Sequence, residues 1–315
     1  MAVEVLVLET FADQYVRHLK ARFPQINVSG ARSFADIAGQ LDTIDVLIAF
    51  GIAIDDGLIK RMQNLRWIQS LATGVDHFLR CPSLKATTLL TSARGIHGPP
   101  MRESVARLML SLAFDMPAKT RNQAAHDWMR GAPWSLLAGK TAVIAGVGIS
   151  GIAIAELLTA FGMKVIGLSR TPRSFPGFAR IEPTERIVEV AREGDWLINV
   201  LPGAPENANL FSRAVFEAMK SSARFINVGR GETVDEAALI DALKSNRIAG
   251  AALDAFRTEP LPSDSPFWSL PNVIVTPHVA GYVAEYEPLV MPIVERNMAL
   301  FLDGRVGELH NLVAH

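Results

Sequence analysis

The chain has 315 residues, a formal net charge of −1 with acidic and basic side chains intermixed, and one cysteine, Cys81. That length is too great for one ordinary core and predicts two domains. The charge balance offers nothing to a nucleic acid or other polyanion, and a lone cysteine excludes an intrachain disulfide and fits a reducing, cytoplasmic compartment.

Residues 1–96 read as alternating strands (3–8, 26–29, 44–50, 67–70, 88–91) and helices (11–22, 34–41), the pattern of a small parallel α/β domain. The opening decapeptide MAVEVLVLET carries Glu4 and Glu9 and lacks a basic start, so it reads as a strand rather than a signal peptide. No uncharged run reaches about 18 residues, and no membrane span is expected. The strand at 67–70 runs into Leu71-Ala72-Thr73-Gly74-Val75-Asp76, a glycine turn at a strand's carboxyl end, where open α/β sheets bind ligands. GIHGPP at 95–100 breaks the pattern and opens a helical stretch over 101–128, with a kink or break expected at Pro117. Its apolar surface predicts packing between domains or against a second subunit.

The centre of the chain is 141–170. A β-branched apolar run (141–145) meets Gly146-Val147-Gly148-Ile149-Ser150-Gly151, then a helix ending at Gly162, then a second strand over 164–168. Strand, G-x-G-x-x-G, helix and strand in about 30 residues form the βαβ unit of a dinucleotide site, in which a helix start receives the pyrophosphate. An NAD site usually carries Asp or Glu about 20 residues after the glycines, to bond the ribose 2′-hydroxyl. Here the strand ends in Ser169, Arg170, Thr171 and, two residues on, Arg173. Two guanidiniums and two hydroxyls suit a 2′-phosphate, which predicts NADP(H), with NAD(H) as a weaker substitute.

Further strands (195–200, 224–228, 250–254, 273–275) and helices (187–192, 216–220, 235–245) complete a doubly wound sheet. A last helix over 285–302 is expected to return to the first domain, with two crossings and a hinge. Three strand ends carry reactive side chains: Arg230 between two glycines, Glu259 in DAFRTEPLP, and His278 in TPH. Reduction of a ketone beside a nicotinamide needs a cation for the substrate's oxygens and an acid for the forming alkoxide. The other histidines (His18, His77, His97, His126, His310, His315) read as packed or surface residues.

These pieces resemble the D-isomer-specific 2-hydroxyacid dehydrogenases over nearly the whole chain: ATGVD (72–76), GVGISG (146–151), LPGAPEN (201–207), NVGRGETVDEAAL (227–239), AALDAFRTEPLP (251–262) and SPFWSLPNVIVTPHVAG (265–281). The resemblance implies two doubly wound parallel-sheet domains. A Rossmann NADP-binding domain, 97–281, is inserted in a smaller flavodoxin-like substrate domain made of 1–96 and 282–315. It implies that Arg230 binds the substrate carboxylate and oxo group, that His278 is the acid/base, and that Glu259 orients it. Thr73, Gly74 and Val75 would offer backbone N–H groups to the carboxylate. Besides the glycine loop and 169–173, cofactor contacts fall on Leu201, Pro202, Asn207, Val228, Gly229, Asp254 (toward the nicotinamide amide), His278 and Gly281. Ser-Arg-Thr at 169–171 is similar to the NADPH-preferring glyoxylate, hydroxypyruvate and ketogluconate reductases. The chain departs from the family pattern at Ile149 and Ser150, which reverse the usual polar-then-isoleucine pair, and at Asn207, where threonine is usual. Glu259, in place of the glutamine of formate dehydrogenases, argues against that activity.

The expected activity is NADPH-dependent reduction of small 2-oxo acids to D-2-hydroxy acids. Two other readings stay open: a nucleotide-sensing interaction protein of the corepressor kind on this fold, and a dehydrogenase of a bulkier 2-hydroxy acid. Relatives are dimers through the long helical region, so a homodimer through 101–134 is expected. Trp134 either reaches the neighbour's pocket or packs in its own domain.

Overall fold

The computed structural model describes residues 2–37, 41–51, 54–131 and 133–315. It divides into two compact units, 1–96 with 284–315, and 97–283. The first begins β1 (Glu4–Leu8), α1 (Ala12–Arg22), β2 (Asn27–Ala31), β3 (Val46–Ala49), α2 (Asp56–Arg61), β4 (Trp67–Ser70), α3 (Asp76–Leu79), β5 (Leu89–Thr91). The strands form a parallel sheet of order β2-β1-β3-β4-β5, the flavodoxin-like winding. β3 and β4 are buried on both faces, as strands covered by helices must be. The helix expected over 34–41 resolves into two 3-10 turns, Phe34–Asp36 and Leu41–Thr43; residues 38–40 lie outside the described set. Ser33, the N-cap of the first turn, donates to the Asp36 carboxylate at 2.7 Å, and Ile37 is already extended (ψ 109°), which ends that turn.

The second unit opens with α4 (Gly98–Ala113) and α5 (Met116–Ala124). The single helix expected over 101–128 is therefore two. The break falls at Asp115, whose φ of 54° is left-handed, and Pro117 sits in the first turn of α5, where its missing N–H costs nothing. The apolar face of α4 is turned inward. Met101, Val105, Leu108, Met109 and Leu112 share one core with Ile154, Ala155 and Leu158. α5 buries no residue, and the segment after it exposes Trp128 (97 %), Met129, Trp134 and Leu136.

There follow β6 (Thr141–Ala145), α6 (Ile149–Ala160), β7 (Lys164–Ser169), β8 (Arg180–Pro183), α7 (Ile187–Ala191), β9 (Trp196–Asn199), α8 (Arg213–Ala218), β10 (Arg224–Asn227), α9 (Glu236–Lys244), β11 (Gly250–Leu253) and β12 (Val273–Val275). The parallel sheet runs β12-β11-β10-β9-β6-β7-β8. Its two faces bury alternate residues: Ala142, Ile144 and Val165 face the α4/α6 core, and Val143, Ala145 and Ile166 face the core of α7, α8 and α9. Strand order reverses between β6 and β9, so the carboxyl ends there form the switch point at which such sheets bind ligands. α10 (Tyr286–Leu302) then belongs to the first unit. His18 of α1 bonds Glu287 at 2.9 Å and also pairs with Glu295, tying α1 to α10.

Candidate active site

The glycine loop has the shape of a nucleotide cradle. Gly146 takes φ 111°, and a Cβ on it would meet the Val200 side chain at 2.9 Å. A Cβ on Gly151 would fall 1.9 Å from the Gly146 carbonyl oxygen, so only glycine lets α6 start so close to β6. Over Gly148, the residue before α6, nothing lies within 4 Å of an added Cβ. Tight turn, open approach and close helix packing are the three duties of the glycines in a dinucleotide site. The open one adjoins the helix N-terminus, where a pyrophosphate is stabilised. The residues present therefore fit a dinucleotide.

At the end of β7 the Ser169 hydroxyl lies 3.2 Å from the Thr171 carbonyl oxygen and 3.3 Å from its N–H. Arg170, 64 % exposed, is paired with Glu206, a carboxylate of the segment after β9 that sequence reasoning assigned no part. Arg173 lines a hollow of about 290 Å³ with Phe175, Phe178 and Ile181. Strand β8, not expected from the sequence, gives Arg180 and Ile181 to that lining; it has only four residues and ends in proline, as edge strands can.

Arg230, Glu259 and His278 follow β10, β11 and β12. Arg230 is set by a buried polar network below it. Asn199 Nδ2 donates to Asn227 Oδ1 (2.8 Å) and Thr233 Oγ1 (2.7 Å), and Thr233 Oγ1 donates to the Arg230 carbonyl (2.7 Å). Asn227 Nδ2 donates to Ala255 O at 2.9 Å, and Leu201 N–H donates to Asn199 Oδ1 at 3.0 Å. These bonds join the loops that carry Leu201, Gly229, Arg230 and Ala255, and every donor has a partner, as burial demands. A Cβ on Gly231 would lie 1.9 Å from the Phe256 carbonyl carbon, so the chain after Arg230 is glycine by necessity. Asn207 is buried and donates to Pro202 O at 3.1 Å, bracing the turn after β9.

The segment bearing His278 is hung from Asp254. That buried carboxylate accepts from Thr276 Oγ1 (2.5 Å), Val279 N–H (2.9 Å) and Ala280 N–H (2.8 Å). His278 itself sits at φ 54°, unusual for a residue with a Cβ; its N–H donates to the carbonyls of Asp254 (2.9 Å) and Thr276 (3.1 Å). Its Nδ1 lies 2.8 Å from Glu259 Oε2. Glu259 Oε1 accepts from Phe256 N–H at 2.9 Å, and the Glu259–Pro260 peptide is cis. Burial works against the charged carboxylate. The hydrogen bonds from His278 and Phe256, and the positive charges of His278 and Arg230, outweigh it and hold the Glu259 pKa below the usual range. An ionised Glu259 has no proton to give, so Nδ1 carries the hydrogen of this bond and Nε2 is left for exchange with a ligand.

His97, read from sequence as an ordinary histidine, stands apart. Its ring lies against Gly281, Cδ2 being 3.0 Å from where a Cβ there would be. Burial, reinforced by the Arg230 charge, lowers its pKa to about 4. It is therefore neutral at pH 7. No sequence signal separates it from the others, because its setting comes from α4 starting beside the β12 loop.

Thr73, Gly74 and Val75 lie in the first unit, between β4 and α3. The carbonyl of Leu71, just before them, accepts a hydrogen bond from the buried Tyr286 hydroxyl. Among the described residues, no helix is long and apolar enough to cross a membrane, and no group of three or more His, Cys, Asp or Glu could hold a metal ion.

Residues 106–280 match the family described as D-isomer specific 2-hydroxyacid dehydrogenase, NAD binding domain. The chain is 32 % identical over 296 residues to a glyoxylate/hydroxypyruvate reductase B of Klebsiella pneumoniae, covering 90 % of each. A D-isomer specific 2-hydroxyacid dehydrogenase family protein of Aeromonas salmonicida superposes with a TM-score of 0.89 at 33 % identity, over 99 % of both chains. An NADPH-dependent glyoxylate/hydroxypyruvate reductase of Sinorhizobium meliloti, solved with NADP and sulfate, superposes at 0.82 with 30 % identity, over 99 % of this chain and 98 % of that one.

Proposed function

The chain belongs to the D-isomer-specific 2-hydroxyacid dehydrogenase family of oxidoreductases, and on that premise we propose that it reduces small 2-oxo acids, glyoxylate or hydroxypyruvate among them, to D-2-hydroxy acids with NADPH. The observation that carries the reading is the 2.8 Å His278–Glu259 pair, at the strand ends of a unit that also holds Arg230 and an open glycine cradle. We assign residues 97–281 to nucleotide binding, and 1–96 with 282–315 to the substrate.

A bound nicotinamide supplies the hydride. The chain's own groups do the rest. Arg230 holds the carboxylate and oxo group with paired donors, which strengthens as negative charge grows on the oxygen. His278 gives the proton on Nε2 to that oxygen, and Glu259 stabilises the imidazolium before transfer and fixes the ring afterwards. Thr73, Gly74 and Val75 receive the carboxylate through backbone N–H groups. The three acceptor sites filled on Asp254 leave capacity for the nicotinamide amide. Ser169, Arg170, Thr171 and Arg173 receive the 2′-phosphate, with NADH a weaker substitute.

A panel of 2-oxo acids assayed with NADPH and with NADH tests this. Turnover of glyoxylate or hydroxypyruvate with NADPH is expected. A protein that binds NADPH yet leaves every 2-oxo acid unreduced is a nucleotide sensor instead, and turnover confined to bulky acids points to a larger pocket. We further propose a C2 homodimer in the cytoplasm, formed by α5 and the exposed Trp128, Met129, Trp134 and Leu136 rather than by α4, whose apolar face is already used. Light scattering at micromolar concentration should give twice the 34.2 kDa chain mass.

A further inference from the structure

Tyr286 is the first residue of α10 and is buried. Its ring packs on Phe50, centroids 5.1 Å apart, and its hydroxyl donates to the carbonyl of Leu71, the first residue after β4. The junction around that carbonyl is committed on every side. Leu71 N–H donates to Ala49 O at 2.9 Å, and the Ala72 carbonyl accepts from Ala93 N–H at 2.9 Å. Ser70 Oγ lies 3.1 Å from both the N–H and the carbonyl oxygen of Ala72. Downstream, the Val75 carbonyl accepts from Phe78 N–H (3.0 Å) and Leu79 N–H (3.1 Å). Between these anchors the N–H groups of Gly74 and Val75 make no hydrogen bond among the described residues.

We propose that Tyr286 is a positioning residue for the substrate carboxylate: its hydroxyl fixes the Leu71–Ala72 peptide plane and thereby aims the N–H groups of Gly74 and Val75. The proposal rests on the assignment of that turn to the carboxylate made above. The peptide is planar, so a hydrogen bond that sets the direction of the Leu71 carbonyl also sets the Ala72 N–H and the path of the chain beyond it. Of the groups that hold the junction, this hydroxyl comes from the most distant part of the sequence. Removing one oxygen therefore loosens the aim of the turn while the ring keeps its packing on Phe50.

The test compares Tyr286→Phe with Tyr15→Phe, which removes the hydroxyl of a tyrosine buried in α1 of the same unit. The readouts are kcat and KM for glyoxylate at saturating NADPH, Kd for NADPH, Kd for oxamate (a non-reducible 2-oxo acid analogue) in the presence of NADPH, and the melting temperature. In Tyr286→Phe, KM for glyoxylate and Kd for oxamate should both rise about tenfold, with kcat within about twofold and NADPH affinity unchanged. Tyr15→Phe should leave all four constants in place. Ser70→Ala, which removes the other side-chain brace of the junction, should move the same two constants in the same direction, and it serves if Tyr286→Phe does not fold. Unchanged KM and oxamate affinity in Tyr286→Phe, or an equal rise in Tyr15→Phe, overturns the positioning role. A wild-type protein that binds NADPH but neither reduces glyoxylate nor binds oxamate overturns the reductase reading and this role with it.

Discussion

The loop after β12 and the loop after β7 leave the carboxyl ends of strands in the same sheet and are built on opposite principles. Residues 276–281 hang by three hydrogen bonds from one buried carboxylate, and His278 is held in a backbone conformation that its own side chain disfavours. Residues 170–173 are exposed and Ser169 is half-buried; Ser169 bonds its own loop at 3.2–3.3 Å, and Arg170 reaches another loop's carboxylate. The first arrangement suits a proton donor, whose rate depends on geometry to within a fraction of an ångström. The second suits recognition, where a few charge-assisted bonds choose between two cofactors and the side chains can adjust. On the roles proposed above, the unit would keep its chemistry rigid and its selectivity adaptable.

Removing His278 tests the rigid side most severely. His278→Ala should lower kcat by about 10²–10⁴-fold while leaving the Kd for NADPH nearly unchanged, since the loss is of general acid catalysis. Steady-state kinetics with an independent binding titration would separate the two, and a fully active variant would sink the acid assignment. On the adaptable side, Ser169→Asp with Arg170→Ala should swing kcat/KM toward NADH by at least about tenfold, because each charge-assisted bond to phosphate contributes about 1.5–3 kcal/mol. Equal preference before and after would remove this loop from cofactor choice.

The effect of pH follows from Glu259. Its carboxyl is held below the ordinary range chiefly because the bonds from His278 and Phe256 outweigh burial. The stability it contributes is full above the unfolded carboxyl value, near 4.3, and is lost as pH falls through the lower folded value. Glu259→Gln should change the pH profile of kcat/KM for reduction, because the carboxylate that accepts the Nδ1 hydrogen of His278 is gone; an unchanged profile would exclude the pairing from catalysis. The smallest change concerns Glu206. Exposed ion pairs contribute about 0–1 kcal/mol. Glu206→Gln should therefore tighten NADPH binding up to about fivefold by freeing Arg170, an effect that should vanish in an Arg170→Ala background.

Much of this was legible in the chain because its signals are local. The βαβ unit declares itself where 141–145, the three glycines and 152–161 follow in strict order, and the strand ends carrying Arg230, Glu259 and His278 stand beside their own turn residues. What stayed hidden depends on contacts between distant segments. The split of α4 from α5 rests on Asp115 adopting a left-handed backbone, which its residue type permits but does not announce. The weak strand β8 exists because Arg180–Pro183 finds a partner in β7. His97 and Tyr286 matter through neighbours far away in sequence, and in isolation each reads as a packed side chain. Glu206 stands in LPGAPEN, yet only the fold brings it to Arg170.

The suspension of His278 from Asp254 also says where sequence diversity can be spent. A library that varied 254 or 276–281 would mostly sample broken loops, because Thr276, Val279 and Ala280 all bond the same buried carboxylate. Codons for 169–173 and 206 offer the opposite prospect, since their bonds are few, exposed and made at side-chain tips. Retargeting the cofactor should therefore need few rounds of selection, whereas relocating the acid would require a new scaffold for the strand end that bears it.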